Sequence, residues 1–278
     1  MESTFLEQNK IKKTHKLSEL DKVNIVNEYI KGENMHQIAL KYNVTSASLS
    51  SILKVRGIKS RPPSVTRRKL AINENAFENL LDEATAYWLG FLMADGSIYK
   101  RKYGYSITLA LQKRDKEHLQ KFKEFLNAEH EIKELKECFR ITIVSKKLAE
   151  QLIDLGVVPR KSYEDSMVPE ILLKSKHFWR GVIDGDGFIG IYDRKAVLGL
   201  AGRYWLIYYF LYYCISVCPF ILKNRICKIK DNFFGVRFSC NTAKFLILYF
   251  YKNSSIFLNR KKRIVEIIET LNYRPKRR

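Results

Sequence analysis

One nine-residue design occurs twice in this chain of 278 residues, and that duplication constrains the fold more than any single segment does. Trp88 to Gly96 reads Trp-Leu-Gly-Phe-Leu-Met-Ala-Asp-Gly, and Trp179 to Gly187 reads Trp-Arg-Gly-Val-Ile-Asp-Gly-Asp-Gly. Both copies carry small residues at their third and seventh places (Gly90 and Ala94; Gly181 and Gly185), and both end on Asp-Gly (Asp95-Gly96; Asp186-Gly187). Positions four apart share one face of a helix, so each copy offers a ridge of small residues along which a second helix can approach closely. Glycine inside a helix costs about 1 kcal/mol relative to alanine, so Gly90, Gly181 and Gly185 point to backbone approach as the overriding requirement. The closing glycine is expected to stop each helix.

A carboxylate in the last helical turn sits at the negative end of the helix dipole, and pairing the two helices would also bring Asp95 near Asp186. Both unfavourable interactions vanish if a divalent cation binds between them. A plainer account, a buried helix ending in an Asp-Gly turn, would serve for one copy. Two copies with matched small residues make it much weaker.

The paired motif resembles the LAGLIDADG homing endonucleases in their single-chain, two-motif form, and the sequence around each copy fits that family too. The resemblance implies an α+β fold: two αββαββα repeats related by a pseudo-twofold axis, whose antiparallel sheets form a saddle for double-stranded DNA. It implies a monomeric phosphodiester hydrolase that makes double-strand breaks in a long, asymmetric target. Phosphodiester cleavage needs an activated water and a Lewis acid on the phosphate, and Mg²⁺ suits hard oxygen ligands. Asp95 and Asp186 are then the catalytic and metal-binding pair, with the main-chain carbonyls of Ala94 and Gly185 as further ligands by resemblance. Lys161 and Lys261, each in an Arg-Lys pair after the last helix of its repeat, are expected to position phosphate or water, although surface charge alone could account for them. Gln112 resembles the family's water-pocket residue; its counterpart is Gly202, so the half-sites differ there. Met93 stands where the second copy has Asp184, away from the metal position.

Lys and Arg number 50 against 29 Asp and Glu, a formal charge of +21, so a polyanionic partner is expected. A membrane is the competing polyanion, but no apolar run is long enough to span one; Tyr204 to Ile221 comes closest and reads as a core helix ending at Pro219. Five cysteines (Cys138, Cys214, Cys218, Cys227, Cys240) lack zinc-site spacing and are expected to be free thiols in a reducing, intracellular compartment. Five scattered histidines give little support to a histidine base.

Four segments follow in order. Residues 1–56 carry three short amphipathic helices, from Leu17 to Gly32, Met35 to Tyr42 and Ser46 to Lys54, with Thr45 as N-cap of the third. They resemble a helix-turn-helix module whose last helix would present Ser46, Ser48, Ser51 and Lys54 to DNA. Residues 57–76 are a basic linker in which Arg61, Arg67 and Arg68 would follow phosphates. Residues 77–163 and 164–278 are the two repeats, and the alternation within their strands places Tyr99, Arg101, Thr108, Lys113, Arg140, Tyr192, Arg194, Lys228, Lys230 and Arg237 outward, toward DNA. The basic tail Arg274-Pro275-Lys276-Arg277-Arg278 would add unspecific affinity. Two other readings use the same scaffold: a DNA-binding regulator that does not cleave, and a splicing cofactor that binds intron RNA.

Overall fold

The computed structural model describes residues 17–31, 33, 35–59, 70–102, 104–159, 167–219 and 224–271. They form two compact units, divided after residue 69 within the basic segment, each with its own hydrophobic cluster. No described helix is long and apolar enough to cross a membrane.

In the first unit, α1 (Glu19–Lys31), α2 (Met35–Lys41) and α3 (Ser46–Val55) bury Ile25, Tyr29, Ile38, Ala39, Leu49 and Leu53 together. Local chemistry sets the helix starts. Ser18 and Asp21 exchange main-chain to side-chain bonds at the head of α1 (3.0 and 3.1 Å), a capping box with aspartate in the acidic place. Thr45 accepts from the Ser48 N–H at 3.1 Å and starts α3 as a threonine N-cap should. Lys41 and Tyr42 converge on Glu28 (2.7 and 2.9 Å) and tie the end of α2 back to α1.

The second unit repeats one order of elements. Helix α4 (Glu83–Asp95) leads into β1 (Gly96–Arg101), β2 (Gly104–Gln112), α5 (Lys116–Phe125), β3 (Ile132–Glu134), β4 (Cys138–Val144) and α6 (Lys146–Asp154). After the four-residue helix α7 (Glu170–Leu173), which the sequence pattern does not signal, α8 (Lys176–Asp186) opens the second copy. It continues through β5 (Phe188–Tyr192), β6 (Lys195–Gly202), α9 (Tyr204–Val217), β7 (Cys227–Lys230), β8 (Phe233–Ser239) and α10 (Cys240–Tyr251), and α11 (Asn259–Thr270) follows. Both sheets are antiparallel with the same strand order, β1-β2-β4-β3 and β5-β6-β8-β7. The expected αββαββα duplication is therefore the observed architecture.

Each sheet has a covered and an open face, because strand residues alternate sides. In the first, Ile98, Ile107, Leu109, Leu111, Ile141 and Ile143 join the core, while Ser97, Thr108 and Thr142 lie abreast on the open side. In the second, Ile189, Leu198, Leu200, Val236 and Phe238 join the core, and Phe188, Gly199 and Arg237 lie abreast on the open side.

Two expected outward residues of the second sheet sit elsewhere. The ladder between β7 and β8 shifts between Lys228 and Lys230, so Lys228 falls opposite Phe234 on the helix-covered side while Lys230 pairs with Phe233 on the open side. Arg194 is not on a strand. With Asp193 it forms the two-residue turn between β5 and β6, both at positive φ (48° and 56°), as a type I′ hairpin requires.

Candidate active site at the paired helix ends

Helices α4 and α8 pack along their small residues. A methyl built on Gly90 would lie 2.0 Å from the Phe178 carbonyl oxygen, and one on Gly181 would lie 2.0 Å from the Tyr87 oxygen. These contacts are reciprocal, each glycine meeting the backbone three residues before the other, which is the local sign of a pseudo-twofold axis between the repeats. Near the acidic ends, a methyl on Gly185 would meet the Ala94 Cβ at 2.3 Å and Asp95 Oδ2 at 3.5 Å. The carboxylate of Asp95 therefore reaches the facing helix.

Gly96 and Gly187 close the two helices as expected, without a left-handed backbone. Their φ values are −71° and −77°, so neither is a left-handed helix stop. A side chain there would run into the preceding turn, 2.7 Å from Leu92 O and 2.6 Å from Ile183 O. Close approach, not backbone handedness, requires glycine; each helix passes directly into the first strand of its sheet.

Asp95 and Asp186 are both exposed at these ends. Asp186 borders a cavity of about 370 Å³ shared with Met93, Ala94, Gly202, Arg203 and Lys230, and an open basin of about 630 Å³ over the second sheet. Gln112 and Gly202 are the last residues of β2 and β6, but they are not counterparts as expected: Gly202 pairs with Phe234 as Leu111 pairs with Phe139, so the place of Gln112 falls in the second repeat to Arg203, which borders the smaller cavity. Lys113 has left the strand: it lies in the 3-10 turn Lys113–Asp115 and pairs with Glu134 at 2.8 Å.

Lys261, expected to position phosphate or water, is buried. Its ammonium donates to the carbonyls of Ile183 and Gly187, both at 2.5 Å, and so satisfies the last turn of α8 from below. Burial pushes its pKa down to about 8, against the opposing pull of Asp184 and of Asp95 and Asp186. The two exposed carboxylates are therefore within electrostatic reach of this charge.

Beneath the site lies a polar network that the sequence reading missed. Asp184 is fully buried and accepts from Tyr251 Oη, from Tyr87 Oη at 2.8 Å and from the Leu258 N–H at 2.8 Å. Burial raises its pKa, with Lys261 and these donors pulling the other way. Arg180, also without exposed surface, donates to Glu83 at 2.6 Å and to the carbonyls of Ile256 and Phe250 at 3.0 and 3.2 Å. Asn259 and Arg260 reach Glu117 and Asp115 of the first repeat at 2.7 and 3.0 Å. The partners lie far apart in sequence, so only an acid or arginine within an otherwise apolar helix face could have announced them.

His118 is no candidate base. Burial among Trp88 and Phe91 holds its pKa down to about 3. Because the Tyr87 hydroxyl gives its proton to Asp184, the 2.9 Å contact with Nε2 has the histidine donating, which leaves Nδ1 as a bare buried nitrogen.

Two carboxylates and nearby main-chain carbonyls are hard oxygen donors, the kind Mg²⁺ takes while retaining water and substrate phosphate oxygens. Among the described residues no group of three or more His, Cys, Asp or Glu side chains that could hold a metal ion assembles. Tyr99, Arg101, Arg140, Tyr192, Lys230 and Arg237 are exposed, and Thr108 is half-buried and 3.3 Å from Thr142. In the first unit Ser46, Ser48, Ser51 and Lys54 are exposed, with the Ser48 hydroxyl held to Thr45 at 2.9 Å and that of Ser51 donating to the Ala47 carbonyl at 3.2 Å. Lys161, Arg61, Arg67, Arg68 and the basic tail lie outside the described residues.

No family model matches the chain, and no curated protein matches it by sequence. Solved structures do. A K262A mutant of I-SmaMI aligns with a TM-score of 0.47 and 12% identity, covering 66% of this chain and 90% of that one. The LAGLIDADG homing endonuclease I-LtrWI bound to target DNA gives 0.45 and 12%, over 69% and 91%. The LAGLIDADG meganuclease I-CpaMI bound to uncleaved DNA gives 0.44 and 14%, over 66% and 91%. Similarity at this level leaves function to the residues themselves.

Proposed function

We propose that the chain is a divalent-metal-dependent, site-specific DNA endonuclease that makes a double-strand break in a long, asymmetric target. The observation that carries this reading is the close approach of two acid-bearing helix ends, Gly185 against Ala94 and Asp95, each end opening directly into a sheet with one open face. A charge of +21 suits a polyanionic duplex against those faces.

Asp95 and Asp186 would hold Mg²⁺, with the Ala94 and Gly185 carbonyls as further donors. When bound, the metal supplies Lewis acidity at the scissile phosphate and a more acidic water. The chain's own part is positional. The glycine contacts fix the spacing of the two acids, and Lys261 anchors the turn that carries Asp186. Lys161 and Gln112 would order phosphate or water on the first side, where the second side has the cation Arg203 at the place of Gln112, so the two strands would be cut at unequal rates. Helix α3 of the first unit would lengthen the recognised site as a helix-turn-helix reader, with the basic linker along the phosphates.

Cleavage of a randomised duplex pool by the full chain, with Mg²⁺ and with EDTA, tests this. Metal-dependent double-strand cutting of a defined sequence is expected, with Asp95→Asn and Asp186→Asn each lowering the rate by about 10²–10³-fold while still selecting that sequence. Selection of a duplex without cutting would instead establish a non-cleaving DNA-binding protein, and selection of RNA in its place a splicing cofactor.

A further inference from the structure

The two open faces differ in chemistry at matched positions. Ser97 in the first sheet corresponds to Phe188 in the second, Tyr99 to Gly190 and Thr108 to Gly199, each pair fixed by equivalent places in the ladders. At the outer strands, Arg140 opposite Lys133 corresponds to Gly235 opposite Cys227. Side chains that donate or accept hydrogen bonds are thus replaced by an aromatic ring, by a thiol and by glycine.

Those glycines are not empty places. The Phe188 ring lies over Gly190, where a methyl would meet its Cζ at 2.7 Å, and the Ile229 side chain lies over Gly235, where a methyl would meet its Cδ1 at 2.9 Å. Phe188 and Ile229 are both 59% exposed. Val197, on the same side, is buried although it belongs to no core cluster, so the open face carries its own apolar floor. With Ala201 they border the basin of about 630 Å³ that reaches Asp186. Tyr192, at the strand end, and Arg237 are the polar exceptions on the sheet within it, Arg237 standing where the first sheet has Thr142.

Resting on the proposed endonuclease reading, we infer that the two halves of the DNA target are read by different means. The first sheet uses hydrogen bonds to base edges, and the second selects thymine through apolar contact with its 5-methyl group. In the major groove the thymine methyl is the one apolar feature that separates base pairs, and apolar side chains are what recognise it. Arg237 supplies the single strong hydrogen-bonding readout from the middle of the second sheet, and the charge of the chain attracts the duplex without regard to sequence.

The test begins with duplexes selected from a randomised pool by the full chain in Ca²⁺. Arg140→Ala identifies the half under the first sheet by relaxing selection there. Deoxyuridine is then substituted for thymidine one half at a time, which removes the methyl and leaves every base-edge hydrogen-bonding group in place. Affinity is expected to fall about fourfold for each methyl buried under the second sheet and less than about twofold for the first. Phe188→Ser, which installs the first sheet's residue at an exposed position, should abolish the deoxyuridine effect at one base pair and leave the others. Equal sensitivity of the two halves, or none in either, overturns the inference while the endonuclease reading stands. Failure to enrich any duplex overturns that reading itself.

Discussion

Gly185→Ala isolates the geometry of the paired helices, because its obstacle is a single methyl. The added Cβ would lie 2.3 Å from the Ala94 Cβ, whereas its next neighbours, Asp95 Oδ2 and Ala94 Cα, are at ordinary contact distances of 3.5 and 3.6 Å. Carbon atoms in contact prefer about 3.5–4.0 Å, so the helix ends must part by roughly 1.2 Å or more. Overpacking of this kind costs about 1–3 kcal/mol, while the helix-propensity gain from glycine to alanine is at most about 1 kcal/mol and smaller in a last turn. Net destabilisation of about 1–2 kcal/mol is expected in urea unfolding. A shift of about 1 Å at the acids should lower cleavage by about 10²-fold. Ala94→Gly alone should lose up to about 1 kcal/mol of helix stability. The double variant Ala94→Gly with Gly185→Ala moves the methyl from one helix to the other, and its stability should recover to within about 1 kcal/mol of the parent, a favourable coupling of about 1–2 kcal/mol. Cleavage should return with it. A double variant less stable than Gly185→Ala, or a single variant more stable than the parent, would refute the argument that contact at this point sets the spacing of Asp95 and Asp186.

Three further outcomes are expected. Lys261→Met removes the cation facing buried Asp184 and leaves two carbonyls without their donor, and should cost about 3–5 kcal/mol in chemical denaturation, whereas Lys261→Met with Asp184→Asn, which removes the lone buried charge and keeps an acceptor for Tyr87, Tyr251 and Leu258, should recover part of it. His118 has a folded pKa near 3 against 6.5 unfolded, so the unfolded chain takes up the proton first; stability present above pH 6.5 should fall as pH drops toward 3, and His118→Phe should show a shallower dependence in melting curves across that window. Thr45→Ala removes the cap of α3 and should cost the first unit about 1 kcal/mol, lowering its melting while the second unit, whose core is separate, unfolds as before.

Features held by local or periodic forces were legible in the sequence. The helices expected from Leu17 to Gly32, Met35 to Tyr42 and Ser46 to Lys54 form within two residues of those bounds, and Thr45 caps where its position said it would. The small-residue ridges were equally readable, since a pair of helices has few other uses for glycine every fourth residue. Features that depend on distant partners were not. The surroundings of Lys261 are settled by Ile183 and Gly187, and nothing near Lys261 in sequence distinguishes a buried ammonium from a solvated one. Lys228 was misplaced by a one-residue shift in the ladder, to which side-chain alternation is blind. Gly96 and Gly187 close their helices as expected, but what selects glycine there, steric contact with the preceding turn, is not visible in the sequence.

The buried pairing of Glu83 with Arg180 spans 97 residues of chain, and Tyr87 waits as long for Asp184. At synthesis rates of about 5–20 residues per second, the helix that opens the first repeat stays without its counterpart for roughly 5–20 s. During that time its tyrosine, tryptophan and phenylalanine side chains, all fully buried in the finished protein, have no helix to cover them. The first unit, built from short-range contacts, can close meanwhile. This long-range closure makes the nascent first repeat the segment most exposed to misassociation, and a chaperone or faster translation ahead of residue 176 should raise the yield of folded protein more than any change in the first unit.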